Sequence, residues 1–434
     1  MGKYISLGEY NKLYKYIWIY LILRFILTYI FYNGLIFDQF DKNDILILPD
    51  HPLITPQNDY IGFIIIPLII KVIKKFLKKK KSNANLNDDK LIYNELDIEI
   101  EYGVKENDIF LFVNIFFLVI RDMLEQILPK FGTTMFTYWM FEMLYYELFH
   151  SRLFKTKIYR HHIFSFIFIL TSTCILKSVN IIINFANDTD TAKFFDDKKW
   201  LIPTSIIVFF LFRVFKTYTF SNVKYYFDKR VISITNFMFI YGIFGFFATI
   251  IGALISTFVR CGDNTLLGLS KKVCRYSKNN NTEYYFDSYD MYHEKLSSKY
   301  YTARFFFLII RSILNFASTY YIFVIYKKLS PVYYICMHRL NVLILNILRF
   351  INSLINIDNN DKIYVTTNII DITLSVFYLL GSIIYLEFIE LNFCGLNFYT
   401  RKNIKRRANT ENYYSIENLG NISYENETPS ENNE

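Results

Sequence analysis

Residues 132–170 read GTTMFTYWMFEMLYYELFHSRLFKTKIYRHHIFSFIFIL and consist of two apolar, aromatic-rich runs joined by a basic hinge. The cations of the hinge are Arg152, Lys155, Lys157, Arg160 and His161. Each run has the length of a membrane span, and cations between two such runs are typical of a cytosolic turn. The stretch therefore predicts a helical hairpin whose turn faces the cytosol.

Apolar and charged residues are segregated along the whole chain. The 434 residues are 53% hydrophobic, yet the mean hydropathy is only +0.20 because apolar runs alternate with polar connectors. The net charge of +9 comes from clusters in alternate connectors, which indicates membrane topology and argues against a nucleic-acid partner. The sequence lacks a Walker loop, a dinucleotide fingerprint, a nucleophile elbow and a metal-spaced Cys/His set. We therefore expect no enzyme activity, cofactor or metal, and we interpret His161 and His162 as part of a polar turn.

Ten runs of mostly apolar residues are long enough to cross a membrane. They cover residues 14–36, 60–77, 108–128, 133–154, 162–184, 200–216, 231–257, 303–326, 331–353 and 365–391. Basic connectors fall at every even position, and both termini are basic as well. The sixth connector has the cations Arg213, Lys216, Lys224, Lys229 and Arg230. Because basic loops stay in the cytosol, we predict an all-α polytopic membrane protein with ten transmembrane helices and cytosolic termini. The membrane would be an endomembrane or the plasma membrane.

The predicted spans divide the chain into two halves of five, residues 1–199 and 200–407. The first half contains a cytosolic insert, residues 82–107, and the second half is followed by a cytosolic tail, residues 408–434. Both segments have the polar, charged composition of disordered regions. The second half also holds the one long external or lumenal loop, residues 258–302.

Six polar side chains inside predicted spans are candidates for substrate binding, because such groups are costly in hydrocarbon and usually face a cavity. They are Asn114, Glu142, Arg311, Asn315, His338 and Asn341. Arg311 and Asn315 are spaced to share a helix face, and so are His338 and Asn341. The alternative is a structural role, with hydrogen bonds between helices or an ion pair of Glu142 with an arginine on a neighbouring helix.

Two kinds of covalent modification are predicted in the external connectors. Cys261 and Cys274 lie on the oxidising side of the membrane, where they could form a disulfide across a short loop. Asn187 and Asn280 begin glycosylation sequons, although an Asn-rich chain also forms sequons by chance.

Several stretches resemble the drug/metabolite transporter superfamily, and in particular its EamA-like and nucleotide-sugar-transporter-like members. Residues 149–162 (FHSRLFKTKIYRHH) resemble the hinge between the fourth and fifth helices, and residues 241–245 (YGIFG) resemble the glycine-bearing seventh helix. Residues 327–332 (KKLSPV) resemble the short turn before the ninth helix, where proline suits the first helical turn. Residues 389–397 (IELNFCGLN) are similar to the end of the last helix in members from protists and fungi.

The resemblance covers residues 108–400 and implies two inverted repeats of five helices. The fourth helix departs from the family, because it carries Phe141, Glu142, Tyr145 and Tyr146 where relatives have small residues. These bulky groups would narrow a cavity, so a nucleotide sugar is not the expected cargo.

The sequence favours a transporter that moves a small polar or organic solute by alternating access. Its expected partners are the lipid bilayer and this small-molecule solute. The sequence is also compatible with a homodimer. Glu142 would be a protonatable or cation-pairing group, and Arg311 would hold an anionic part of the cargo. The alternatives are an integral membrane lipid- or glycosyl-transferase and a non-transporting scaffold or receptor.

Overall fold

The computed structural model describes residues 7–27, 53–82, 108–127, 148–149, 152, 158–187, 201–229, 232–258, 260–261, 276–278, 283–285, 301–329, 331–355, 362–389, 391, 396 and 403. Helices dominate this part of the chain. In order they are α1 (Leu7–Ile26), α2 (Ile54–Ser82), α3 (Asp108–Ile127), α4 (Arg160–Asn187), α5 (Leu201–Lys229), α6 (Ile234–Phe258), α7 (Tyr301–Lys328), α8 (Pro331–Ile355) and α9 (Lys362–Tyr385).

Each predicted span except the fourth overlaps one of these helices. The fourth, residues 133–154, lies outside the described residues apart from Leu148, Phe149 and Arg152, so its helix stays a prediction. Local signals explain several helix starts. Ser233 accepts a hydrogen bond at Oγ from the backbone N–H of Asn236 at 3.1 Å and so caps α6, while Pro331 occupies the first turn of α8.

Four helices of the described part are long and apolar enough to cross a membrane. The segments are Ile234–Thr257 in α6, Leu308–Lys328 in α7, Pro331–Leu348 in α8 and Val365–Tyr385 in α9. A further apolar segment, Arg160–Leu176 in α4, is shorter. The lengths and compositions are those expected of a membrane protein.

The exposed surface of α6 is apolar, and its buried face has large apolar residues near the start of the helix and small residues further along. Phe247, Ile251 and Ile255 are each more than half exposed, whereas the face that includes Gly245 and Ala253 is buried. A Cβ on Gly245 would overlap a ring on α2, so glycine is needed for the close approach of α2 and α6. Large apolar side chains outside and small residues at helix contacts are typical of membrane helices.

Aromatic side chains build the main core. Phe227 of α5, Phe237 of α6 and Phe323 of α7 meet edge to face, with centroids 5.0 Å apart for Phe227–Phe237 and for Phe237–Phe323. Such pairs contribute about 0.5–1.5 kcal/mol beyond their burial. The three rings therefore fix α5, α6 and α7 together near one end of the helices.

The helix contacts define the arrangement of the bundle. Helix α2 packs extensively against α6 and also against α7, while α9 packs against both α4 and α8. Further contacts join α1 with α7 and α8, and α3 with α5 and α6. Phe149, which precedes the basic hinge, contacts Tyr218 of α5 with ring centroids 5.8 Å apart.

One prediction about the connectors is wrong. The predicted sixth connector includes Arg213, Lys216 and Lys224, but α5 continues to Lys229 and all three side chains are buried. Their charges are accommodated by partners inside the protein; the Lys224 Nζ, for example, donates to the Lys327 carbonyl oxygen at 3.2 Å. The cations of α5 therefore do not indicate where a solvent-exposed connector begins.

A small antiparallel sheet lies in the predicted external loop, so the chain is not wholly helical. Its strands are β1 (Arg260–Cys261), β2 (Tyr276–Lys278) and β3 (Glu283–Tyr285), in the order β1-β3-β2. Cys261 pairs with Tyr284 and Ser277 pairs with the same residue from the other side. Aromatic residues favour strands, and the tyrosines of β2 and β3 therefore favour strand formation in this loop.

Candidate functional site

An ion pair joins α2 to α7 in the interior. The Arg311 Nη2 donates to Asp59 Oδ2 at 3.2 Å, with the two side chains only 6% and 10% exposed. At the same crossing the Ser312 Oγ donates to the Asn58 carbonyl oxygen at 2.6 Å. Asn315, one turn after Arg311, also faces the Asp59 carboxylate. Arg311 and Asn315 thus share a face as predicted, and that face meets α2.

A second charged group begins at the next residue of α2. The Tyr60 hydroxyl donates to Asp122 Oδ2 on α3 at 3.1 Å. Arg121 is ion-paired with Asp122, and its guanidinium lies 4.6 Å from the centre of the Phe220 ring on α5. Tyr60 therefore links the pair on α2 and α7 to the charges on α3.

A third pair connects α3 to α5. The Lys216 Nζ donates to Glu125 Oε1 at 2.7 Å, and it also lies 5.8 Å from the centre of the Phe220 ring. Lys216 is 7% exposed and Glu125 is 38% exposed, so the network approaches the protein surface at the carboxylate. Burying an unpaired ammonium would cost several kcal/mol, which is why this lysine needs both the carboxylate and the ring.

We call these residues the central charge network. It comprises Asp59, Tyr60, Arg121, Asp122, Glu125, Lys216 and Arg311, together with Arg24 of α1, which acts electrostatically on Asp59, and Arg213 of α5, which acts on Glu125. Five cations face three acids among these members. The arrangement can bind a polar solute with a negative group, because such a solute would balance the formal excess of positive charge.

An aromatic path leads from this network to a predicted site residue on α8. Phe220 contacts Tyr334, which lies edge to face with Tyr20 of α1 at 5.5 Å between centroids. The Tyr20 hydroxyl and His338 Nδ1 are 3.2 Å apart, and the rings of Tyr334 and His338 are stacked. His338 therefore borders the same interior as the charges, although several rings separate it from them.

Two predicted amides are buried in different ways. Asn114 of α3 is 3% exposed, and its Nδ2 donates to the Phe110 carbonyl oxygen of its own helix at 2.8 Å. Asn341 of α8 is 1% exposed, and neither atom of its amide makes a hydrogen bond to any of the described residues. The side-chain amide of Asn114 therefore has a hydrogen-bond partner within α3, whereas the side-chain amide of Asn341 could still bond to a further group.

Several predicted positions lie outside the described residues. Glu142 is among them, so its pairing and function stay predictions. The same holds for Cys274 and Asn280. Cys261 is described only as a backbone position of β1, and Asn187 only as the last residue of α4.

Sequence reasoning missed the acids that neutralise the buried cations. Asp59 immediately precedes the predicted span 60–77, and Asp122 and Glu125 lie near the end of the predicted span 108–128. A signal was available, because an acid and a cation within apolar runs on different helices both need partners. The sequence alone offers no way to choose which acid meets which cation.

Comparisons with known proteins supply no family for this chain: no family model matches it, and neither a curated protein nor a solved structure is similar to it. The class of protein is therefore argued from the apolar helices and the buried charges alone.

Proposed function

We propose that the protein is a multi-pass membrane transporter that moves a small polar solute with a negative group by alternating access. The central charge network carries this proposal. Isolated structural ion pairs occur in membrane proteins, but a chain of charges shared by five helices is expensive, and such groups usually border a solute pathway. The three acids and five cations among its members favour an anionic or zwitterionic solute over a cation.

Several of the helix contacts support an internal repeat of five helices, of the kind that this mechanism uses. If the halves are exchanged, α1 is replaced by α5, α2 by α6, α3 by α7 and α4 by α9. The α2–α6 and α4–α9 contacts then map onto themselves. The contact of α2 with α7 maps onto that of α6 with α3, and the contact of α1 with α7 maps onto that of α5 with α3; both members of each pair are present.

The exchange also relates α8 to the fourth predicted span, residues 133–154. Helix α8 contacts α1, so its counterpart should contact α5. The ring contact of Phe149 with Tyr218 of α5 agrees with this expectation. Such a correspondence between halves is what an internal repeat predicts, and a transporter of this type would bind its solute between the halves.

In this proposal Arg311 binds the negative group, and Asp59 holds the guanidinium in place when the solute is absent. Tyr60, Asn341 and His338 would supply hydrogen bonds to the polar remainder of the solute. The buried, unsatisfied amide of Asn341 is suited to this function, because a solute would provide the partner that the described protein groups do not.

Solute uptake into proteoliposomes tests the proposal. Purified protein would be reconstituted and assayed with a panel of anionic, zwitterionic, cationic and neutral metabolites. We expect uptake of an anionic or zwitterionic member and at least a tenfold loss in Arg311→Gln, since a charge-assisted hydrogen bond contributes about 1.5–3 kcal/mol. Arg311→Lys should retain part of the rate because it keeps the charge.

Arg152→Gln is the matched control, because it makes the same substitution at an exposed arginine of the hinge. It should leave uptake unchanged. If well-folded protein transports no class of solute, the transporter proposal is wrong and the network is a structural lock of a scaffold or receptor. Uptake of cations alone would refute the charge argument while leaving transport in place.

A further inference from the structure

The start of α4 and the end of α9 bring together three side chains that have metal-binding atoms. His161 and His162 are the second and third residues of α4, and Glu387 lies just after α9. One ligand atom from each residue lies within 4.8 Å of the other two. The His161 Nε2 and Glu387 Oε1 are 3.3 Å apart, and the centroids of the two imidazole rings are 4.1 Å apart. The three groups are distant in sequence but adjacent in the fold.

His161 is buried without the hydrogen bonds that an imidazole normally needs. Its side chain is 4% exposed, and neither ring nitrogen forms a hydrogen bond within the described part of the chain. The close approach to Glu387 does not have hydrogen-bond geometry. A buried polar group left unsatisfied costs about 1–3 kcal/mol, so a further partner in this pocket would stabilise the protein.

The backbone at Glu387 is held in an unfavourable conformation. Its φ angle is 62°, in the left-handed region that non-glycine residues seldom adopt. The Phe388 N–H donates to the Ile383 carbonyl at 3.0 Å and the Glu387 N–H to the Ile384 carbonyl at 3.1 Å, which is the Schellman pattern of a helix end. Glycine is the usual residue at this position. A glutamate here has a cost of about 1–2 kcal/mol, which points to a use for its carboxylate.

The three groups are presented by a rigid pair of helices. The Ser165 Oγ of α4 donates to the Gly381 carbonyl of α9 at 2.5 Å, and a Cβ on Gly381 would overlap Ile169. Tyr385, at the end of α9, lies against the His162 ring with centroids 4.5 Å apart. The close packing fixes the distance between the imidazoles and the carboxylate before any ligand binds.

We infer that His161, His162 and Glu387 bind one divalent transition-metal ion of the zinc type. Two imidazoles and a carboxylate form a common ligand set for such an ion, with a fourth position left for water or another group. Metal–ligand bonds of about 2.0–2.1 Å place tetrahedral ligand atoms about 3.4 Å apart. The His161–Glu387 separation is already close to this value, and the longest separation, which is at most 4.8 Å, would need to shorten by no more than about 1.4 Å. Mg²⁺ and Ca²⁺ prefer oxygen ligands and should not compete.

The Nδ1 of His162 faces the Tyr159 N–H at 3.5 Å, at the outer limit of a hydrogen bond. This contact is weak enough for the ring to be reoriented by a metal. A bound ion would join the start of α4 to the turn after α9 and would hold the two helix ends together. The inference rests on these side chains and does not require the transport activity proposed above.

Cobalt titration of the metal-stripped, full-length protein in detergent tests the site. We expect one equivalent of Co²⁺ with visible absorption of a tetrahedral complex, no thiolate charge-transfer band, and displacement by Zn²⁺. His161→Gln and Glu387→Gln should each weaken binding by about 100-fold or more, since loss of even an outer partner of a ligand costs 10–100-fold.

Ser165→Ala serves as the control, because it weakens the α4–α9 contact but removes no ligand, and it should bind metal as the wild type does. Glu387→Gly removes the carboxylate while relaxing the backbone, so it should fold and yet lose metal. The inference is overturned if folded wild type binds no Co²⁺. It is also overturned if a thiolate band appears or if the ligand variants keep wild-type affinity. A loss of binding in Ser165→Ala equal to that in Glu387→Gln would likewise refute the assignment of ligands.

Discussion

Neutralising both partners of the Asp59–Arg311 pair should destabilise the protein by less than the sum of the two single neutralisations. The charges are 3.2 Å apart and at least nine-tenths buried. At this distance, with an effective dielectric constant of about 20, the attraction is about 5 kcal/mol. Removal of one partner of a buried pair typically costs about 3–5 kcal/mol, because the other charge stays buried without compensation. Asp59→Asn and Arg311→Gln should each show a loss of this size.

The double variant Asp59→Asn/Arg311→Gln has no uncompensated charge at this crossing. It should recover about 2–3 kcal/mol relative to the sum of the single losses, which is a large coupling energy for a pair in contact. The measurement is equilibrium unfolding of the purified protein in mixed micelles for all four forms. Ser312→Ala should cost only about 0.6 kcal/mol, because it removes one interhelical hydrogen bond at the same crossing.

Additive losses in the double variant would refute the reasoning, because they would mean that Asp59 and Arg311 do not stabilise each other. Comparing uptake with stability in the same four forms also distinguishes a structural role of the pair from a role in transport. A double variant that regains stability but not uptake indicates that the arginine acts on the solute. Recovery of both stability and uptake would indicate that the pair only stabilises the packing of α2 against α7.

Two further predictions concern backbone positions. Gly245→Ala should destabilise the protein by about 1–3 kcal/mol, because its Cβ would overlap the buried Tyr60 ring. Gly252→Ala is the comparison, since its Cβ would overlap only the flexible end of Met123 and would lie at ordinary contact distance from Leu53. Equal losses of thermal stability in the two variants would contradict this prediction. In the absence of metal, Glu387→Gly should be about 1 kcal/mol more stable than Glu387→Gln, because glycine adopts the left-handed backbone conformation without strain. Equal melting temperatures of the two variants would show that the backbone at this position is not strained.

The positions of the helices could be predicted from the sequence because span length is a local property. Runs of apolar residues identified α1 to α9, and only their ends were misplaced. The largest difference is at α5, because the predicted span ends at Lys216 whereas the helix continues to Lys229. Hydropathy assigns a cost to each cation by itself, whereas the buried lysine is stabilised by Glu125, which lies 91 residues away. The same limit applies to Asp59 and Arg311, which are 252 residues apart.

One member of the central charge network, Arg311, was among the residues singled out from the sequence. Arg311 was identified from its depth in an apolar run, and its face was identified from the spacing to Asn315. The partner of Arg311 in the described residues, Asp59, was not predicted. The three proposed metal ligands were not predicted, because Glu387 comes close to His161 only through the turn that ends α9. Nothing in the local sequence indicates a left-handed glutamate, since the conformation is set by the helix end.

The positions of the glycines constrain how the proposed halves could move. The contacts that map onto themselves under exchange of the halves, α2–α6 and α4–α9, are also those where a Cβ on Gly245 or Gly381 would overlap the facing helix. Such close contacts resist separation, because interfaces packed without free space have few alternative arrangements. The charges, in contrast, also involve α1, α3, α5 and α7, where ion pairs can exchange partners with a solute. If the halves rock, the α2–α6 contact at Gly245 and the α4–α9 contact at Gly381 would therefore act as pivots. The helices that hold the central charge network would separate around them. A metal ion at His161, His162 and Glu387 would lie at the end of one of these pivots, where it would stabilise the α4–α9 contact without blocking the solute.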